Sequence, residues 1–130
     1  MNTETLNTAP YFPPFEDYLA CALWSSVHFA GEDDDGTPFD EVDAELAPEA
    51  RAAMEAELQD FADLLEREGI DEIPLSDEQI AHDFWLTRNG HGAGFWDRGI
   101  GEIGDTLTTW AKSFGSCDLY LGDDGLIYIS

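Results

Sequence analysis

The sequence predicts an α+β fold: a mainly helical single domain over residues 1–130 with a small C-terminal β-hairpin. Three observations carry that expectation. Met54, Leu58, Phe61 and Leu65 recur at steps of four, three and four, the period of an amphipathic helix. Two β-prone runs, Asp118-Leu-Tyr-Leu and Leu126-Ile-Tyr-Ile, flank Gly122-Asp-Asp-Gly, a hairpin signature. Hydrophobic residues make up 43% of the chain, enough for one core, which separates it from a disordered acidic tail.

Residues 1–14 are polar and then proline-marked, and read as an arm. Pro14 suits a helix start, and helical periodicity runs from Phe15 to His28, with Phe15, Leu19, Ala22 or Leu23, and Ser26 or Val27 on one face. Residues 31–47 read as an acidic connector, in which Gly36 and Pro38 argue against a helix. The helix from Pro48 to Glu68 has proline at its start and Gly69 past its end. After a connector over 70–75, Ser76 and Gln79 stand at capping-box spacing before a helix that turns Ile80, Phe84 and Leu86 or Thr87 inward and ends at Asn89-Gly90. A glycine-rich aromatic loop spans Gly90–Gly101. The last helix runs from about Glu102 to Phe114, with Ile103, Leu107, Trp110 or Ala111, and Phe114 buried. A lone hairpin is marginal, so the C-terminal one must pack on the helices or join a third strand near residues 70–74.

Charge is the outstanding feature. The chain carries 29 Asp+Glu against 5 Lys+Arg, a formal net of -24, where small domains usually carry a magnitude of about 2–8. Residues 1–83 hold 23 of the acids and only Arg51 and Arg67 as bases. Self-repulsion of this size costs stability, so a use for the field is expected. A negative surface also argues against anionic membranes and against direct nucleic-acid binding. No secretory signal opens the chain, no apolar run approaches ~20 residues, and Cys21 and Cys117 stand far apart; the expectation is a cytoplasmic protein with reduced thiols.

The segment Asp83-Phe-Trp-Leu-Thr-Arg-Asn-Gly-His-Gly-Ala-Gly-Phe-Trp-Asp-Arg-Gly, followed by the Asp-Asp-Gly hairpin, resembles a segment in small uncharacterised proteins of phages and other mobile elements. The resemblance covers about residues 80–128. It implies a mobile-element origin and brings with it no activity and no catalytic residue. Residues 1–79 lie outside it.

Four other chemistries have candidate residues in the chain. Gly90, Gly92 and Gly94 free backbone N–H groups, but a helix precedes them where a dinucleotide fingerprint needs a strand, and no Walker lysine follows. The expectation is instead structural: Phe95 and Trp96 enter the core, and Arg88 or Arg98 pairs with Asp83 or Asp97. His28, His82-Asp83 and Asp97 or Asp105 match the His…His-Asp…Asp order of helical metal phosphohydrolases, an order that arises easily by chance among so many acids. The 31–42 segment fails as a calcium loop, since Gly31 and Val42 fall where oxygen ligands are required. Cys21 lies among apolar neighbours, where a thiol is inert core.

That leaves the acids. The leading expectation is a non-enzymatic DNA mimic, with no cofactor and no metal. It would occupy the basic groove of a host nucleic-acid-binding or defence protein through Asp33, Asp34, Asp35, Asp40, Glu41, Asp43, Glu57, Asp60 and Asp63 as phosphate surrogates. The alternatives are a mobile-element adaptor that binds through His91, Phe95 and Trp96, and a small metal-dependent hydrolase using His82 and Asp83.

Overall fold

The structure is a computed structural model that describes residues 14–29, 35–70, 73–91 and 93–130. It is α+β and mainly helical. In chain order the elements are α1 (Phe15–Ser25), β1 (Val27–His28), β2 (Thr37–Pro38), a 3-10 turn (Phe39–Glu41), α2 (Pro48–Arg67), α3 (Asp77–Arg88), a second 3-10 turn (Phe95–Asp97), α4 (Glu102–Lys112), β3 (Leu119–Leu121) and β4 (Ile127–Ile129).

Helix α2 follows its sequence pattern closely. Met54, Leu58, Phe61 and Leu65 are all buried, joined by Ala50 and Ala62. Its end is a Schellman motif: Gly69 takes φ 78°, Ile70 N–H donates to Leu65 O at 2.9 Å and Gly69 N–H to Glu66 O at 3.1 Å. Helix α3 ends the same way, with Gly90 at φ 71°, His91 N–H on Leu86 O at 3.0 Å and Gly90 N–H on Thr87 O at 3.1 Å. Its start is the expected cap, Ser76 Oγ accepting from Gln79 N–H at 3.1 Å.

Helix α3 is the centre of the fold. Ile80, Ala81 and every residue from Asp83 to Arg88 are buried, far more than the single inward stripe its sequence suggests. A helix buried on most sides is covered from several directions: here by α1, by α4 and by aromatic rings. Phe84 stacks on Phe61 at 4.3 Å and 9° and on Tyr18 at 5.4 Å, while Phe114 meets both Phe61 and Phe84 edge-on. Gly104 lets α4 approach the second 3-10 turn, since a Cβ there would fall 2.9 Å from Phe95 O.

Four expectations need correction. Helix α1 stops at Ser25 rather than His28, because Val27 and His28 pair antiparallel with Pro38 and Thr37; a β-branched residue with a strand partner is better placed extended than helical. Its buried face is Tyr18, Leu19, Cys21 and Ala22, and Val27 is exposed. Helix α4 ends at Lys112, and Phe114 reaches the core from the turn beyond it. The hairpin forms as expected, with Tyr120 opposite Tyr128, but the chain segment beside it is 45–47 and not 70–74. Ile127 N–H donates to Glu45 O and Ala47 N–H to Ile127 O, both at 2.8 Å.

The described part of the acidic connector is therefore built into the fold. Phe39 is 2% exposed, and Val42, Ala44 and Leu46 pack against the core while Asp43 and Glu45 between them face outward. This anchoring predicts that Phe39→Ala costs about 3–5 kcal/mol, as for other buried Phe truncations. Urea denaturation of the variant measures it; a surface-linker role for the segment predicts almost no change.

Candidate functional site

The site expectations fall in three places. Among the acids, Asp33 and Asp34 lie outside the described residues. Asp35, Asp40, Glu41, Asp43, Asp60 and Asp63 are exposed. Asp60 and Asp63 stand on the outward face of α2 with Glu55 and Glu66, and Gln59 Nε2 donates to Asp63 Oδ1 at 2.8 Å. Asp40, Glu41 and Asp43 follow the Phe39 anchor. None of Asp35, Asp40, Glu41, Asp43, Asp60 or Asp63 forms an ion pair among the described residues.

Glu57 is the exception, and a correction. It sits on the flank of α2 with its side chain 31% exposed, and its carboxylate clamps the guanidinium of Arg88, whose side chain is 1% exposed. Arg88 Nη1 reaches Glu57 Oε1 at 2.6 Å and Nη2 reaches Oε2 at 3.3 Å. Burial opposes the charge on Arg88, but the bonds from Glu57 and Tyr18 outweigh it and leave the guanidinium more basic than usual. Glu57 is structural rather than a free phosphate surrogate. Sequence spacing placed it in a row with Asp60 and Asp63; only the distant Arg88 shows that it faces another way.

Of the remaining arginines, only Arg98 is used similarly, and Arg51 and Arg67 pair at the surface. Arg98 grips Asp83 with Nε at 2.9 Å and Nη2 at 2.7 Å, one of the pairings expected from the loop. Arg51 bridges Glu16 at 3.3 Å and Glu55 at 3.5 Å, and Arg67 lies 3.9 Å from Glu68.

The glycine-rich loop divides. Phe95 is fully buried, and its N–H donates to Thr87 Oγ1 at 3.1 Å. Trp96 is 50% exposed, contrary to the expectation that both rings enter the core. The 3-10 turn explains this: successive side chains point about 120° apart, so burying Phe95 turns its neighbour outward. Gly94 is needed here, since a Cβ would collide with Thr87 Oγ1. Gly92 lies outside the described residues.

The hydrolase residues do not converge. Asp83 is completely buried, and both its oxygens are taken: Oδ1 accepts from Gln79 Nε2 at 2.9 Å and from Arg98, and Oδ2 accepts from Arg98. The His28 ring packs on Phe39 at 5.7 Å. Among the described residues no three His, Cys, Asp or Glu side chains gather as a metal site. Cys21 and Cys117 are free and buried. Burial pushes the Cys21 thiol up to about 12 and the Cys117 thiol to about 11, so neither is a thiolate at neutral pH. No helix of the described residues is long and apolar enough to cross a membrane.

The class this defines is an acidic α+β domain in which Arg88 and Arg98 serve buried or half-buried pairs and most of the described carboxylates lie on the outside. Comparison with protein-family models, with curated proteins and with solved structures yields no match.

The division among the acids is testable. Glu57→Gln weakens charge-assisted bonds to a buried guanidinium and is expected to cost about 2 kcal/mol. Asp60→Asn and Asp63→Asn are expected to leave the unfolding midpoint unchanged or to raise it, through relief of repulsion. Chemical denaturation of the three variants side by side checks the contrast.

Proposed function

We propose that this chain is a non-enzymatic binding protein of a mobile element that acts inside the host cell as a DNA mimic. Its carboxylates would occupy the basic groove of a nucleic-acid-binding or defence protein and exclude DNA. The observation that carries the reading is the separation of charge. Arg88 and Arg98 are drawn into buried or half-buried ion pairs and Arg51 and Arg67 pair with neighbouring acids at the surface, while Asp35, Asp40, Glu41, Asp43, Asp60 and Asp63 remain outside and unpaired among the described residues. A field of one sign meets a phosphate-binding groove as DNA does, by Coulomb attraction and counterion release. The mobile-element origin is proposed on the resemblance of about residues 80–128 to a segment in small uncharacterised proteins of phages and other mobile elements. The commitment of Asp83 to Arg98 supports a role without hydrolysis.

A second reading draws on Trp96. An indole half in solvent on the 3-10 turn suits a protein contact, and an adaptor would use it together with His91, while Phe95 only braces the turn.

Competition separates the two. The captured partner is expected to release DNA as this protein is added, with an affinity that falls steeply as salt screens charges over about 8–10 Å. Replacing Asp33, Asp34, Asp35, Asp40, Glu41 and Asp43 by Asn or Gln, and then Asp60 and Asp63, is expected to weaken binding in steps while the unfolding midpoint holds or rises. If both neutralised sets bind as well as wild type, or if the partner holds this protein and DNA together, mimicry is wrong. Loss of the partner in Trp96→Ala alone, with the fold kept, identifies the adaptor.

A further inference from the structure

The β3–β4 hairpin belongs to the part of the chain that charge counting leaves as scaffold, yet its outer face has an organised chemistry. Leu119 and Ile127 turn inward to the core. Tyr120 and Tyr128, directly opposed across the strands, turn outward, and their rings stack at 5.7 Å and 22°. Tyr120 is 47% exposed. The two rings line a groove with Leu121, Gly122, Asp123 and Asp124.

Two details fix this groove before anything enters it. Gly122 leaves room for the Tyr128 ring over the turn, since a Cβ there would lie 2.6 Å from it. Asp124 is held at both oxygens: Oδ1 accepts Leu126 N–H at 3.0 Å and Oδ2 accepts the Tyr128 hydroxyl at 2.5 Å. These bonds hold the Asp124 carboxyl below the usual carboxylate range, so it stays anionic. A carboxylate has about four acceptor positions, so Asp124 retains capacity for a further donor. Asp123 beside it is exposed and makes no hydrogen bond among the described residues. Glu49, at the start of α2, adds negative charge near Tyr128. No cation lines the groove.

We propose that the outer face of this hairpin is a docking site for an arginine side chain of a peptide or protein partner, its guanidinium lying on the Tyr120–Tyr128 rings and donating to the carboxylates of Asp123 and Asp124. The planar guanidinium suits the site better than an ammonium, because it stacks on aromatic faces and donates through a rigid fork. Preorganised rings and a locked carboxylate reduce the ordering that binding must otherwise supply. The site does not depend on mimicry, since it recognises one side chain rather than a phosphate-binding groove.

The test is an amide-shift NMR titration of the full chain with Ac-Gly-Arg-Gly-NH2, its lysine counterpart and its neutral citrulline counterpart, at matched ionic strength. The arginine peptide is expected to give saturable shifts at Tyr120, Gly122, Asp123, Asp124 and Tyr128. The lysine peptide should bind at least fivefold more weakly, and the citrulline peptide should give no saturation. Tyr120→Thr, which keeps a strand-forming residue, and Asp123→Asn should each weaken the arginine peptide at least fivefold. Asp60→Asn with Asp63→Asn should leave it unchanged, which separates this site from the mimicry surface. If Tyr120→Thr loses the Leu119–Ile129 cross-strand contact, Asp123→Asn alone decides. Equal response to arginine and lysine, shifts centred on Asp60 and Asp63, or undiminished binding by Asp123→Asn would overturn the proposal.

Discussion

The guanidinium of Arg88 is the constraint on which the fold depends. It has five N–H donors, and the structure offers five acceptors. Nε donates to Gly115 O at 2.8 Å; Nη1 donates to the Tyr18 hydroxyl at 3.1 Å and to Glu57; Nη2 donates to Glu57 and to Phe114 O at 3.1 Å. One side chain thus ties α3 to α1, to α2 and to the turn after α4. A buried charge costs several kcal/mol in lost hydration and is tolerable only when its partners are complete. Here they are, and the ring of Phe84 lies beneath at 5.6 Å. Arg88 also sits in the last turn of its helix, where a cation complements the dipole.

This interior use of arginine shapes the outside. A chain with 5 basic residues that commits Arg88 and Arg98 to buried or half-buried pairs has few left to neutralise its surface. Some of the resulting negative charge is locally favourable. Glu16 and Asp17, Asp77 and Glu78, and Glu102 and Asp105 all stand in the first turns of their helices, against the positive end of the dipole. The acids in the middle of α2 and after Phe39 have no such compensation, and they are the ones that the proposed function employs.

What could be read from the sequence follows the range of each interaction. Features set by neighbours three to five residues apart were legible: the α2 stripe, the Ser76 cap, the glycine ends of α2 and α3 and the Gly122–Gly125 turn. Features set by distant partners were not. Val27 looks helical until Pro38 pairs with it, and Glu57 looks solvated until Arg88 reaches it. Tyr18 escaped notice as core because a polar tip weakens a hydrophobic pattern, whereas Cys21 is buried as its apolar neighbours suggest. Of the candidate site, the exposure of Asp60 and Asp63 could be read from α2's period alone, while the exposure of Trp96 needed the 3-10 turn that buries Phe95.

The pinned connector bears on how an acidic surface could compete with DNA. Charges carried on a loose tail must be ordered on binding, at about 1–2 kcal/mol of backbone entropy per residue. Asp40, Glu41, Asp43 and Glu45 avoid most of that cost. The chain that carries them is fastened by the β1–β2 pair, by buried Phe39, and by the bonds of Glu45 and Ala47 to Ile127. Asp60 and Asp63 are held as firmly by α2. Their spacing within each segment therefore survives in the free protein. The same fixity has a consequence for specificity. A rigid pattern fits grooves whose cations match it and repays a mismatch poorly, so a mimic built this way is selective among basic proteins rather than a general polyanion.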